Sequence, residues 1–476
     1  MRDVLQPRSW ALPAMIVLGG LTGCGPGAGD TGRSSESAEG QGGPAPQPRA
    51  IAEAPVGSKG AAARRPCQPA SSGWSFWPRA ADRPFARQFN AAPSVKPTRI
   101  NGLALDPAQN MLLAGQLAGA VDFGGGALTP LGEPDAFVVK LDPCGAHLWS
   151  KRFGDTASQA AIDIGADRAG NTIVMGSFDG TIDLGTGPLT HRGSPRDVFV
   201  AKLDPGGVTL WVKHVIAEEG GMYPTAMAVD HEGNTLILGS LEGTVSFGDS
   251  TVMSSTVTSF AAKIDPAGKT LWSARLGTST DQEPIDIEVD RSGKAFVAGH
   301  DARGHGVFAL ALDAAGVVLW RKSFRVPPQD DEILFDLDVS LGGSALIAGL
   351  GFLGTDVDPS ADPPHFAAAL GAAGEPSWIV RPDAPPTRIA ASTSGTLLLA
   401  GKHCQAAQCA LILTRLDASG SERGEQRFDG NATVAALESD AQGRAVIAGT
   451  FNGKLELPPR PLQSEAPALF VARLPR

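Results

Sequence analysis

The chain has 476 residues, a formal net charge of −10 and 42% hydrophobic residues, and its 59 Gly and 37 Pro mark it as turn-rich. That composition excludes a coiled coil or a collagen and allows a large buried core, as several domains or one closed β architecture. An acidic balance without a basic tract argues against nucleic acid as a partner, because phosphate contacts need clustered Lys and Arg. Five Cys is an odd number, so one of them needs a role outside intrachain bridging.

At the N-terminus, Arg2 and Arg8 precede an apolar stretch, residues 10–21 (WALPAMIVLGGL), which is too short to span a bilayer. It runs into Leu21-Thr22-Gly23-Cys24. Charge, apolar length and the L-T-G-C box in this order resemble the bacterial lipoprotein signal. The resemblance implies that residues 1–23 are a cleaved signal peptide and that Cys24 is lipidated, which accounts for the odd cysteine. It also implies attachment to a membrane through the lipid and a place in the bacterial cell envelope, at the outer membrane or cell surface. Residues 24–66 then read as the lipidated Cys and a disordered tether rich in Gly, Ala, Pro and Ser, spanning roughly 35–40 Å as a flexible coil.

Residues 67–97 form an N-terminal segment ahead of seven repeats that fill 98–476. A short apolar strand ends in Gly115, Gly176, Gly239, Gly299, Gly349, Gly401 and Gly449. Nine residues before each stands Asp106, Asp167, Asp230, Asp290, Ser340, Ser392 or Asp440, with a Gly three residues later in six of the seven. That D-x-x-G spacing predicts a hairpin in which the carboxylate caps the turn and Gly accepts positive φ. A second hairpin follows: a strand carries Phe137, Phe199, Phe260, Phe308, Phe366, Ile412 or Phe470 four residues before its closing Leu or Ile. Eight residues after that closing position come Trp149, Trp211, Trp272, Trp320 and Trp378. Each repeat therefore reads as four strands, a to d, with period two and no sustained helical period.

Such units cannot bury both faces alone and must stack, so the expected fold is an all-β, seven-bladed β-propeller with four antiparallel strands per blade. The seventh repeat ends at Leu474 without strand d. Phe85 and Phe89 have the spacing of Trp149 and Phe153, so residues 84–90 are expected to complete the last blade and close the ring, over about 84–474. Units such as DVFVAKLDPGGVTLW (197–211) and GNTLILGSLEGTVSFG (233–248) resemble the SBBP β-propeller repeats of bacterial secreted and surface proteins. The resemblance implies a propeller outside the cytoplasm and transfers no catalytic residues. ALDAAGVVLWRKSF (311–324) also looks like quinoprotein-type propeller repeats, which carry one more residue between Asp and Trp.

Alternating strands put the a–b and c–d turns on one face and the b–c connections on the other. The distance from marker Gly to the residue closing strand c varies from 13 to 27 residues, so recognition is expected on the b–c side. Cys67 and Cys144 are candidates for a bridge pinning the tether to the turn face, and Cys404 and Cys409 for a local bridge in the sixth b–c loop. Pairing Cys67 with Cys404 or Cys409 would have to cross faces.

Candidate chemistry is sparse. His300, Asp301 and His305 share a b–c loop and are metal candidates, although the two His, five apart, lack helical i, i+4 geometry and no third ligand is evident. Along the strand-a edges, Asp163, Asp286, Glu288, Asp336, Asp338 and Glu438, with Arg388 as the one cation, would line a central channel, either holding a structural divalent cation or pairing with Lys and Arg of neighbouring blades. Asp356, Asp358 and Asp362 lack the spacing of a calcium loop. With a single Tyr, and Trp at a repeated structural position, an aromatic sugar platform has little raw material. The expectation is therefore a non-enzymatic envelope module without cofactor, presenting its b–c loops to a protein or glycan. The alternative is an envelope enzyme using the channel carboxylates or the His300 loop.

Overall fold

The computed structural model describes residues 83–192, 195–277, 282–301, 306–325, 333–350, 365–405 and 408–476. The chain divides into Met1–Ala63 and Arg64–Arg476. The first part, with Cys24 and most of the expected tether, lies outside the described residues, as do Cys67, His305, Asp356, Asp358, Asp362 and the side chain of Asp301.

Every regular element among the described residues is a β-strand, and the pairing is antiparallel throughout. The first unit pairs Arg99–Leu105, Met111–Leu117, Asp135–Leu141 and His147–Phe153 in chain order. Units four and five repeat this order in Gln282–Val289 to Val318–Arg325 and in Ile333–Val339 to Pro376–Val380. Elsewhere strand d of one unit runs without a break into strand a of the next, as in Thr209–Val229 and Glu422–Ser439, giving two longer sheets. The N-terminal strand Phe85–Asn90 pairs with Leu462–Arg473 in the register Phe85 to Arg473 and Asn90 to Ala468. Strand Arg99–Leu105 packs against Glu422–Ser439 of the seventh unit. The architecture is thus all-β and propeller-like, built of stacked four-stranded units.

The D-x-x-G turns form as their chemistry demands. Asp167 Oδ1 accepts the backbone N–H groups of Ala169 and Asn171 at 2.9 and 3.0 Å, and Gly170 takes φ 79°. The marker glycines answer to a different constraint. In all seven units strand a carries a bulge beside the residue opposite the marker Gly, for example at Ala161/Asp163 beside Gly176 and at Leu334/Asp336 beside Gly349. The strand-c aromatic lies over the same spot: a Cβ on Gly115 would come within 2.9 Å of the Phe137 ring and would collide with the carbonyl of Arg99. Only Gly admits a carbonyl and a ring at once, and the bulge redirects the next side chain out of the sheet.

The strand-d tryptophans join one unit to the next. The indole N–H of Trp149 donates to the Pro205 carbonyl at 3.0 Å, Trp211 to Pro266 at 2.9 Å, Trp272 to Ala314 at 3.0 Å and Trp378 to Ala418 at 3.1 Å. Each ring also covers the glycine of the next unit's c–d turn: Cβ atoms at Gly207, Gly268, Gly316, Gly374 and Gly420 would meet the preceding Trp at 2.6–3.1 Å. Between the sheets, Val, Leu, Ile, Ala and Phe form the buried clusters, with Phe137, Phe199, Phe260, Phe308, Phe366 and Phe470 almost fully buried.

Candidate functional site

The bulges aim the side chains of strand a toward the strand-a edges of other units, and there the carboxylates converge. Their use differs from the expectation of pairing with Lys and Arg of neighbouring blades. Asp163 accepts the N–H of Met227 in the following unit at 2.8 Å, Asp286 that of Leu337 at 3.2 Å, Asp336 that of Ile389 at 2.7 Å, and Asp338 that of Ala391 at 2.6 Å. The other oxygen of Asp163, Asp286 and Asp338 accepts the N–H of the residue that follows it. Along these residues strand a is paired on one side only, so these N–H groups have no strand partner, and the neighbouring carboxylate supplies the acceptor. Arg388 turns to backbone carbonyls: Nε donates to Ala435 at 2.6 Å and Nη1 to Thr387 at 2.6 Å.

Burial is the main influence on these acids. It pushes Asp163 up to about 6 against the N–H bonds that favour the anion, and Asp336 to about 6 against the Arg388 cation. Asp338 rises to about 7, and Glu438 to about 8 through burial and the charges of Asp338 and Asp336. Burial and the neighbouring Asp336 and Asp163 charges raise Asp286 well above the usual carboxylate range, and burial with the Asp338 charge does the same to Glu288. A cluster of this kind holds protons near neutral pH. Among the described residues no group of three or more His, Cys, Asp and Glu side chains is arranged to hold a metal ion.

Of the blade-four loop candidates, only the side chain of His300 lies among the described residues. His300 is itself engaged: its Nδ1 accepts the N–H of Leu334 in the next unit at 3.2 Å, and burial lowers the ring to about 4, so the imidazole is neutral. Cys404 and Cys409 are opposed in a hairpin and joined by a disulfide, S–S 2.06 Å. Cys144 is disulfide-bonded as well, and its proposed partner Cys67 lies outside the described residues. The b–c side is less loop than expected. Units one and two carry small hairpins there, Val121–Asp122 with Ala127–Leu128 and Thr181–Asp183 with Pro188–Thr190, and in unit three strands b and c simply extend to Ser246 and from Thr251.

Sequence reasoning missed a buried ion pair that recurs under the a–b turns: Asp106 with Lys140, Asp167 with Lys202 and Asp230 with Lys263, each at 2.8 Å. The signal was present as the Lys one residue before the closing Leu or Ile, in the first three repeats.

No family model matches the chain. It is 28% identical over 155 residues to an uncharacterized WD repeat-containing protein of Acanthamoeba polyphaga mimivirus, covering 29% of this chain. The chain spans only 11% of that relative's length. Similar solved structures include a catalytically inactive virginiamycin B lyase from Staphylococcus aureus, 9% identical with a TM-score of 0.43, covering 82% of this chain and 100% of the lyase. A puromycin hydrolase (13% identical, TM-score 0.39) covers 77% of this chain and 60% of its own, and a polysaccharide lyase (8%, TM-score 0.40) covers 79% and 89%. The expectation that the chain is not an enzyme is withdrawn: enzymes stand among the similar structures, and likenesses of this strength assign the chain neither an activity nor the lack of one.

Proposed function

We propose that this protein is a lipid-anchored module of the bacterial cell envelope: a seven-bladed propeller, closed by its N-terminal strand and tethered through Cys24, that presents its b–c side to a protein or glycan. The observation carrying this reading is the place of Phe85. The residue starts the N-terminal strand opposite Arg473 and lies against Gly145 in the c–d turn of the first unit, so the chain enters on the turn face. A tether leaving there directs the variable b–c connections away from the membrane. A bridge from Cys67 to Cys144, in that same turn, would hold the entry point. Metabolic labelling with a radioactive fatty acid tests the anchor: label is expected on the full chain and lost in Cys24→Ala, and equal labelling of both overturns it. Crosslinking in intact cells tests the face. Partners captured from residues 181–190 and lost on shortening that hairpin support it, whereas capture only from the turn face overturns it.

A second reading is favoured by one observation, the acids that hold protons near neutral pH at the converging strand-a edges. In this reading they form an acid–base or cation site. Elemental analysis of purified protein and of Asp286→Asn/Asp336→Asn tests it; stoichiometric metal lost in the variant supports it, and metal-free protein removes the cation form.

A further inference from the structure

Each seam between consecutive units is built on the same positions: the capping residue of the a–b turn, the residue four further on, and the residue before the one that closes strand c. In the first three seams the Asp–Lys pairs fill the space, and the Nζ atoms of Lys140 and Lys202 also lie 3.5 and 3.4 Å from the Pro205 and Pro266 carbonyls across the seam. In the fourth, Ala311 replaces the Lys, and Lys294 takes over from a different position, Nζ 3.4 Å from the Ala372 carbonyl and 4.6 Å from the Phe296 ring centroid. Arg415 spans the sixth to the Pro475 carbonyl at 2.7 Å, and Arg473 the seventh to the Pro143 carbonyl at 2.5 Å.

The fifth seam breaks this rule. Its three positions are Ser340, Ser344 and Ala369, and the facing turn carries Ser392. The acid and the base are lost together, so no unpaired charge remains to be compensated. The space is not refilled by larger apolar residues either, although interiors normally close-pack. A cavity of about 190 Å³ stands there, lined by Ser340, Ser344, Ser377, Ser392, Ala369 and Trp378 among others. That is the share of about six water molecules, or room for one pyranose-sized ring. Its wall has no charged side chain, and Leu341, Leu346 and Leu397 make much of it apolar, beside an indole held in place by its bond to Ala418. Of its hydroxyls, Ser392 caps the N–H groups of Ser394 and Thr396, Ser340 accepts the N–H of Ser344 and keeps its own proton to donate, and Ser377 donates to the Ala369 carbonyl and keeps its lone pairs to accept.

We infer that the seam between the fifth and sixth units is a binding site for a single neutral, hydroxyl-rich small molecule, a monosaccharide or polyol. The remaining donor of Ser340 and acceptor of Ser377 suit a ligand hydroxyl, and Trp378 with the leucines offers an apolar surface to its C–H faces. This site lies on the turn side and is independent of the lipid anchor and of the b–c connections. Saturation-transfer NMR on the full chain tests it with D-glucose, D-galactose, D-mannose, N-acetyl-D-glucosamine and glycerol at millimolar concentration. At least one probe is expected to receive saturation. Ser340→Asp/Ala369→Lys, which rebuilds the ion pair of the other seams, is expected to cut that signal at least tenfold without lowering Tm. Ala369→Met fills the cavity without charge and decides the matter if the double variant does not fold. No signal from any probe, or a signal that survives the filling variants, overturns the inference.

Discussion

Phe85 stands over Gly145 as each strand-d Trp stands over the turn glycine of the unit after it, with only 2.6 Å between its ring and the position a Cβ on Gly145 would take. The first strand of the described fold thereby does for the seventh unit what Trp149 does for the first, although it is separated from the strand it joins by almost the whole chain.

Phe85→Ala is therefore expected to destabilise the protein by about 2 kcal/mol, less than a fully buried Phe because this ring is half-buried. Deleting residues 84–90 should expose the edge of Leu462–Arg473 and broaden the thermal transition. Calorimetry checks both, and an unchanged melting profile after the deletion would show that the strand does not close the fold.

The bulge geometry sets a contrast between two glycines. Gly176 has the Phe199 ring and the Ala160 carbonyl against the place its Cβ would occupy, whereas Gly206 meets nothing nearer than an Asp204 oxygen at 3.4 Å. Gly176→Ala is expected to cost about 2–3 kcal/mol in urea unfolding and Gly206→Ala about 0.5 or less. Equal costs would mean that close approach in strand b is not what requires glycine.

The buried Asp167–Lys202 pair tests whether charge is lost safely only in pairs, as in the fifth seam. Lys202→Ala alone strands a carboxylate that is 7% exposed and should cost about 3–5 kcal/mol. Asp167→Ser/Lys202→Ala, which copies the Ser340 and Ala369 arrangement, should cost less than the sum of its single changes by 1 kcal/mol or more, on the order seen for contacting residues. Strict additivity in the double-mutant cycle would refute the coupling.

Stability is expected to peak at about pH 4, and the two limbs have different origins. Asp163, Asp336, Asp338 and Glu438 titrate higher in the folded chain than in the unfolded one, at about 6, 6, 7 and 8. The native state then binds more protons than the unfolded state from about pH 4, where the unfolded carboxylates ionise, up to those values, so stability falls as pH rises across that range. Asp249 is lowered to about 2, burial being outweighed by its bonds to Thr270 and Lys213, and its contribution is lost as pH falls below the ordinary carboxylate range. A Tm series from pH 3 to 9 checks this, and Glu438→Gln should reduce the alkaline loss. A Tm that climbs from pH 5 to 8 would contradict it.

The sequence alone determined the four-strand repeat, the D-x-x-G caps, the marker glycines and the kinship of Phe85 with the strand-d tryptophans, because turn chemistry and a period of two are local properties. It also placed Asp163, Asp286, Asp336 and Asp338 on one edge. Only the tertiary structure decided what they do there: the bulges beside the marker glycines turn them onto backbone N–H groups of the following unit, about 50–65 residues away. The seams were equally hidden. That Lys294 stands in for the Lys missing at Ala311, while nothing stands in at Ala369, depends on side chains meeting across neighbouring sheets, and no pattern within one repeat encodes which neighbour a side chain will reach.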